Sequence, residues 1–229
     1  MRSLVFDTSD KVNVQQLSTG FWNLNFSSII PCTQVVIANV IIPRSFYNVF
    51  NGNDGITING ILYHFINGNY AINELMTNLT NLIQTSTGFV VTITQNTNTG
   101  KITYTSTSAV ILIFTTCYKL FGMTPSQQIT VNATGITSPN IYDLNSVPAV
   151  YLRCNSIHSN FIYNNNTTNI LFRCPVDVEF GQLIVYTNQS SDFHIDVHNL
   201  MQLDFRLTDC YGTELNLNGI DWKCELILI

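Results

Sequence analysis

Alternation of apolar and polar residues along most of this 229-residue chain constrains its fold more than any other feature. A period of two places successive side chains on opposite faces of a β-strand, so each alternating run predicts a strand. Strands at this density are typical of a β-sandwich or barrel, and the length suits one large all-β domain. The predicted strands are residues 4–6, 22–26, 34–42, 56–58, 61–66, 89–94, 102–105, 110–115, 129–132, 150–154, 170–174, 183–187, 203–207 and 222–229.

One segment, residues 73–84, has helical periodicity instead. Asn73 is placed to cap the helix and Glu74 falls in its first turn, where a negative charge is favoured. A shorter helical turn is expected at residues 117–121, ended by Gly122. We therefore predict one amphipathic helix lying on the sheet, with a core-packing apolar face formed by Leu75, Met76, Leu79, Leu82 and Ile83.

Two sequence signals predict β-hairpins. Asn59 and Gly60 separate two short apolar runs, and both residues tolerate the positive φ that a type I′ turn requires. Residues 96–100, Asn-Thr-Asn-Thr-Gly, separate a second pair of alternating runs in the same way.

The chain is poor in charge. Charged residues make up 10% of the sequence, against about 25% in an average soluble domain, whereas Asn and Thr number 28 and 26. Faces without ions can pack against neighbours without the cost of desolvating charge, which favours a subunit of an assembly. Codon bias in an AT-rich genome explains the same composition, and the two explanations are compatible. The stretches without Asp, Glu, Lys or Arg are 12–43, 75–100, 102–118 and 154–172.

Composition also argues against several classes of function. A net charge of -5 with no cluster of Lys or Arg does not suit nucleic-acid binding. The first twelve residues lack the apolar stretch of a signal peptide, and the apolar runs at 35–42 and 109–114 are far shorter than the roughly 20 residues that span a bilayer. We expect a soluble chain. No C-x-x-C pair is present, so we expect free, buried thiols at Cys32, Cys117, Cys154, Cys174, Cys210 and Cys224.

The best metal candidate is the run from His194 to His198. On a strand, His194, Asp196 and His198 share one face, and two imidazoles beside a carboxylate are able to bind a divalent ion. The alternative is a polar strand face near a sheet edge, and the H-E-x-x-H pattern and a nearby third imidazole are both missing. We predict no metal and no cofactor.

No pattern typical of an enzyme is present. The chain lacks G-x-S-x-G, the Walker loop and G-x-G-x-x-G. Asp177 and Glu179, at alternate positions of an expected strand, are a weak candidate for a pair of catalytic carboxylates. We predict that the protein is not an enzyme.

Residues 203–229 carry the most specific pattern. We expect two alternating strands joined by a turn at 209–212, followed by a strand that runs to Ile229 and is paired inside a sheet, because a loose apolar end would aggregate. This stretch resembles the C-terminal strand pair of penton-type minor capsid proteins of virophages, polinton-like viruses and related large DNA viruses. The matching residues are Asp209, Gly212, Asn218, Gly219 and Trp222.

Further segments resemble the same family in the same order. One is an early strand followed by a bend, one is a strand end followed by a helix, and one is a pair of late strands; together they cover most of 34–229. The matching residues are Pro43, Ser45, Phe46, Tyr47 and Asn48, then Gly68, Tyr70, Leu75, Leu79 and Asn81, then the segments 146–157, 168–177 and 180–188.

The resemblance implies a single jelly-roll β-sandwich of two Greek-key sheets, with extra strands in its loops. It also implies pentamers at the fivefold vertices of an icosahedral capsid, next to a double jelly-roll major capsid protein. The subunit would lie in the virion after assembly in the host cytoplasm or nucleus. The family has no catalytic residues to transfer, so the five C-terminal matches are expected to form turns and packing contacts.

The sequence leaves the role of residues 1–33 and the choice between several functions undecided. Residues 1–33 have no match, and we expect them to form either an arm that reaches a neighbouring subunit, given the aromatic Phe21 and Trp22, or added strands; residues 34–229 form the jelly-roll domain. The alternative functions are a jelly-roll spike that binds a receptor or glycan, another minor capsid component, or a cupin-like enzyme with a metal at His194 and His198.

Overall fold

The computed structural model describes residues 1–157, 162–163, 166–167, 169–188, 195–197 and 199–229. Within these residues the chain forms nineteen strands and one α-helix, α1 (Ile72–Thr87). The strands are β1 (Arg2–Asp7), β2 (Val14–Ser18), β3 (Phe21–Ile30), β4 (Gln34–Pro43), β5 (Gly55–Ile58), β6 (Ile61–His64), β7 (Val91–Asn96), β8 (Lys101–Ser106), β9 (Val110–Phe114), β10 (Gln127–Val131), β11 (Ile136–Thr137), β12 (Ala149–Cys154), β13 (Ile162–Tyr163), β14 (Asn166–Thr167), β15 (Ile170–Pro175), β16 (Leu183–Thr187), β17 (Ile195–Asp196), β18 (Leu200–Thr208) and β19 (Lys223–Leu228).

The chain divides into two compact units. The first, which we call the sandwich unit, comprises residues 1–46 and 147–229; the second, the inserted unit, comprises residues 47–146. This division differs from the expected one of an N-terminal segment 1–33 and a domain 34–229. The reason is that β1, β2 and β3 pair with strands of the sandwich unit, whereas the inserted unit buries a core of its own.

The sandwich unit is a jelly roll. Its two antiparallel sheets have the strand orders β1-β19-β4-β16, with β17 also paired to β4, and β15-β12-β18-β3-β2. In chain order, its eight principal strands are β1, β3, β4, β12, β15, β16, β18 and β19. Numbered from one to eight, they have the order 1-8-3-6 in the first sheet and 2-7-4-5 in the second. Consecutive strands alternate between the two packed sheets except for the fourth and fifth, which pair with each other, and this order is the double Greek key of a jelly roll. The predicted fold class is confirmed.

Four large aromatic side chains form the centre of the sandwich core. Trp222 is fully buried, and its ring lies 5.2 Å from Phe6, 5.5 Å from Trp22 and 6.0 Å from Phe205 between centroids. Edge-to-face contacts of this kind add to the free energy gained from burial. Phe6 and Trp22 come from residues 1–33, so that segment supplies side chains to the core.

The inserted unit has two small sheets, β10-β9-β5-β6 and β11-β8-β7, and the helix α1. Both predicted hairpins are present. Asn59 and Gly60 have φ of 47° and 87° and join β5 to β6 in the expected I′ manner. The loop from Asn96 to Gly100 joins β7 to β8.

The amphipathic helix is also confirmed, although its N-terminus differs from the prediction. The N-cap is Ala71, two residues before Asn73, and the Glu74 carboxylate accepts the Ala71 backbone N–H at 2.8 Å. Glu74 thereby makes the N3 half of a capping box, and the side-chain cap expected of Asn73 is not formed. Leu75, Met76, Leu79 and Ile83 are buried and Leu82 is partly buried, as expected for a core-facing stripe.

A 3₁₀ turn at Lys119–Phe121 ends at Gly122, as expected. Gly122 has φ of +67°, and a Cβ built there would lie 2.4 Å from the backbone oxygen of Asn140. Only glycine fits this position, because the conformation and the close backbone approach both exclude a side chain.

Candidate assembly surface

The C-terminal motif forms turns and core contacts. The Asp209 Oδ1 atom accepts the backbone N–H groups of Tyr211 and Thr213, each at 2.8 Å, and Gly212 has φ of +89°. After this turn the expected second strand is reduced to one bridge between Thr208 and Glu214. The chain then continues to β19, which belongs to the other sheet, so β18 and β19 do not form a hairpin.

A second turn precedes β19. Asn218 and Gly219 have φ of 53° and 79°, and the Asn218 side-chain amide donates to the backbone oxygen of Ser45. The Ser45 hydroxyl donates to the backbone oxygen of Leu217 at 2.6 Å. These reciprocal bonds hold the turn against the residues that follow β4. The motif geometry is that of turns and packing.

The other sequence candidates do not assemble into a catalytic site. Asp177 and Glu179 are both exposed and lie in the loop between β15 and β16, so the idea that they share a strand face is wrong. His194 and His198 lie outside the described residues. In the described part of the chain, no group of three His, Cys, Asp or Glu side chains is arranged to hold a metal ion.

A His–Asp pair that the sequence analysis missed lies in the inserted unit. The His64 Nδ1 atom is 3.0 Å from Oδ2 of the nearly buried Asp54. The two residues are brought together because His64 pairs with Gly55, next to Asp54, across the β5–β6 hairpin. The predicted hairpin at Asn59 and Gly60 was the sequence signal that could have placed His64 beside Asp54. The shallow depression around the pair is lined by no Ser or Cys among the described residues, so no nucleophilic hydroxyl or thiol lies beside the His–Asp pair.

One outer face of the sandwich unit carries three of the five arginines of the chain. It belongs to the sheet β15-β12-β18-β3-β2, and we call it the arginine face. On β18, Leu203, Phe205 and Leu207 point into the core, so the alternate residues lie on the outer side. The arginines are Arg153, Arg173 and Arg206.

The three arginines contact neutral groups. Arg206 stacks over Phe21, with its guanidinium carbon 4.3 Å from the ring centroid, and Arg173 lies 5.9 Å from the Tyr151 ring. Arg153 donates from Nε to the Thr208 hydroxyl at 2.9 Å and from Nη1 to Asn169 Oδ1 at 3.1 Å. Among the residues that the structure describes, none of the three forms an ion pair.

The single acid on these outer strand positions is already engaged. Asp204 is nearly buried and accepts the backbone N–H groups of Asn155 and Ser156 at 3.0 and 2.8 Å, together with the Ser156 hydroxyl and the Cys154 thiol. Burial raises the pKa of Asp204, but the hydrogen bonds from Ser156, Cys154 and Asn155 outweigh burial and lower it. The carboxylate therefore fastens the end of β12 to β18 and does not neutralise Arg206.

The opposite outer face belongs to the sheet β1-β19-β4-β16, and we call it the glutamate face. Glu225 lies at its centre, with Val5 and Asn39 as its cross-strand neighbours. Its Oε1 atom accepts the Ser3 hydroxyl at 2.7 Å, and the nearby acid Asp7 is paired with Lys223 at 2.7 Å. Side chains more than half exposed on this sheet include Val5, Leu183 and Val185.

Two solved structures are similar to this chain. The chain is similar to the crystal structure of the mavirus penton protein, with 11% identity, a TM-score of 0.47 and coverage of 99% of this chain and 98% of that one. It is also similar to a chain of the cryo-EM structure of the Sputnik virophage, with 14% identity, a TM-score of 0.43 and coverage of 99% and 97%. No protein-family model and no curated protein matches the sequence. The strand order above defines the jelly roll independently of these similarities.

Among the described helical segments, none is both long and apolar enough to cross a bilayer.

Proposed function

We propose that the protein is a structural capsid subunit, a penton-type minor capsid protein that forms pentamers at the fivefold vertices of an icosahedral capsid. The observation that carries the proposal is the jelly roll whose core is completed by the C-terminal motif, with Trp222 at its centre. This motif is also the stretch whose sequence resembles penton-type proteins. A fold alone does not define a function, so the motif is essential to the argument.

The surface chemistry supports an assembled subunit. Exposed apolar side chains and uncharged amides are frequent on the described surface, and the glutamate face carries Val5 on one edge strand and Leu183 and Val185 on the other. Apolar patches of this kind favour protein–protein contact. In the virion, the neighbours of such a ring would be double jelly-roll major capsid proteins, and the proposal involves no catalysis, nucleic acid or cofactor.

Native mass spectrometry of the purified full chain tests the proposal. A species of five 25.7 kDa chains is expected. A trimer that binds glycans on an array would favour a spike protein instead. A monomer at all accessible concentrations would contradict the proposed ring.

A further inference from the structure

The arginine face is electrostatically incomplete in an isolated subunit. Arg153 and Arg206 are direct cross-strand partners in the register of β12 and β18. Like charges placed directly opposite each other destabilise a sheet. Asp204 is committed to the end of β12, and Glu214, which is bridged to Thr208, accepts the Ser18 hydroxyl. Within the described residues neither acid forms an ion pair with Arg206, and the Arg206 Nε atom has no hydrogen-bond partner.

The glutamate face carries a carboxylate that is able to pair with these arginines. Its acid Asp7 is neutralised by Lys223, whereas Glu225 has the Ser3 hydroxyl as its hydrogen-bond partner and no ion pair in the described chain. Buried Asn39 Oδ1, next to Glu225 in the sheet, is also without a partner among the described residues. Among the described residues, one outer face thus carries cations without an ion-pair partner and the other carries a carboxylate without one.

The positions of the two faces fit a ring. A closed ring is built from heterologous contacts, in which two different patches of one subunit meet. The outer faces of the two packed sheets lie on opposite sides of the sandwich, so one face is able to contact the preceding copy and the other the following copy. Complementary charge at such a contact fixes register and excludes wrong partners.

We propose that the arginine face of one copy docks on the glutamate face of the next copy, with Arg206 and Arg153 receiving the Glu225 carboxylate. The guanidinium fork matches a carboxylate in two parallel hydrogen bonds. Phe21, which is partly exposed, on one side, and Val5 and Val185 on the other, provide apolar area around the ion pair. This inference rests on the proposed ring and names the residues that close it.

Charge reversal tests the inference on the full chain. Arg206→Glu and Glu225→Arg are each expected to raise the apparent dissociation constant of the ring roughly tenfold or more, because each brings like charges together. The double variant, Arg206→Glu with Glu225→Arg, is expected to recover most of the loss. Lys119→Glu makes the same change of charge at an exposed position of the inserted unit, outside both patches, and is expected to leave the ring intact.

The outcomes separate the inference from the proposed function. A fivefold wild-type species that survives both single reversals overturns the inference and leaves the capsid proposal standing. A wild-type chain that never forms a fivefold species overturns both. Binding of a sulfated glycan to the arginine face, lost in Arg206→Glu while the oligomer is unchanged, also overturns the inference.

A further variant controls for effects of the substitution on folding. The urea midpoint of monomeric Arg206→Gln is expected to lie close to that of the wild type, because relief of the repulsion with Arg153 offsets the lost stacking on Phe21. If Arg206→Glu is unfolded, Arg206→Gln carries the assembly test. A folded Arg206→Gln that forms rings with wild-type affinity and salt dependence contradicts the inference.

Discussion

Trp22 and Trp222 meet edge to face in the core of the sandwich, with ring centroids 5.5 Å apart. One comes from β3, in the segment 1–33, and the other directly precedes β19, in the segment that resembles penton-type proteins. The contact joins the two sheets, because β3 and β19 belong to different ones. The motif therefore has a structural role: through Trp222 it packs the C-terminal segment against the N-terminal strands in the core.

Truncation of Trp222 should destabilise the fold severely. Trp222→Ala leaves a large cavity between Phe6, Trp22 and Phe205, and such substitutions typically cost about 3–5 kcal/mol. Trp222→Phe should cost less, since it also removes an indole N–H that has no partner in the described chain. Tyr211→Ala, at the exposed tip of the neighbouring turn, is the control and should change the free energy of unfolding by less than about 0.5 kcal/mol. Urea unfolding measures all three; equal effects of Trp222→Ala and Tyr211→Ala would refute the assigned role.

Two glycines of the inserted unit should respond differently to alanine. Gly60→Ala places a side chain at positive φ in open space and should cost about 1–2 kcal/mol. Gly122→Ala adds to that strain a 2.4 Å approach to the Asn140 oxygen, so its cost should be clearly larger. Thermal unfolding of the two variants gives the comparison. Similar losses would mean that the backbone near Asn140 yields easily.

The Asp7–Lys223 pair should contribute stability that is lost in acid. The hydrogen bond from Lys223 lowers the pKa of Asp7 from 3.8 to about 2, burial opposes the shift, and bonds from Ser9 reinforce it. A lowered folded-state pKa stabilises the protein above pH 4, and the contribution disappears as the pH falls toward 2. The pair is partly exposed and screened, so its size is at most about 1 kcal/mol.

Asp7→Asn provides the measurement. The difference in unfolding free energy between wild type and Asp7→Asn should shrink between pH 5 and pH 2. Lys223→Gln should remove most of that pH dependence. A difference that stays constant over this range would show that Asp7 is not stabilised by the pair.

The thiols should differ in reactivity. All six cysteines are free, and five are buried; Cys210 is partly exposed. Burial raises the pKa of Cys154 to about 12, and it raises the pKa values of Cys117 and Cys224 further. Because the thiolate is the reactive form, Cys210 should be alkylated first in the native protein. Mass mapping after brief iodoacetamide treatment checks this order, and early labelling of Cys224 would contradict it.

Sequence periodicity predicted strands such as β8, β9 and β19 well, because buried residues alternate with less buried ones along each of them. It missed β2 and β11, where few residues alternate and strand pairing alone decides the structure. It also missed the independence of the inserted unit. Its strands alternate in the same way as those of the sandwich, so no change in pattern marks the two boundaries.

The proposed assembly surface was harder to predict than the fold. Arg153 and Arg206 are far apart in sequence and meet only through the register of β12 and β18. Lys223 is paired with Asp7 and is therefore not available to Glu225, and this pairing also depends on the register of β1 and β19. Local patterns do not encode such relationships, whereas the turn at Asp209 and the hairpin at Asn59 follow from short-range rules.

Cryo-EM of the purified full chain is the decisive measurement. Fivefold rings of jelly-roll subunits are expected, in which β18 of one copy faces β19 of the next and Arg206 lies within ion-pair distance of Glu225. Particles that remain monomeric, or rings of another symmetry with both outer faces open to solvent, would contradict the proposed ring.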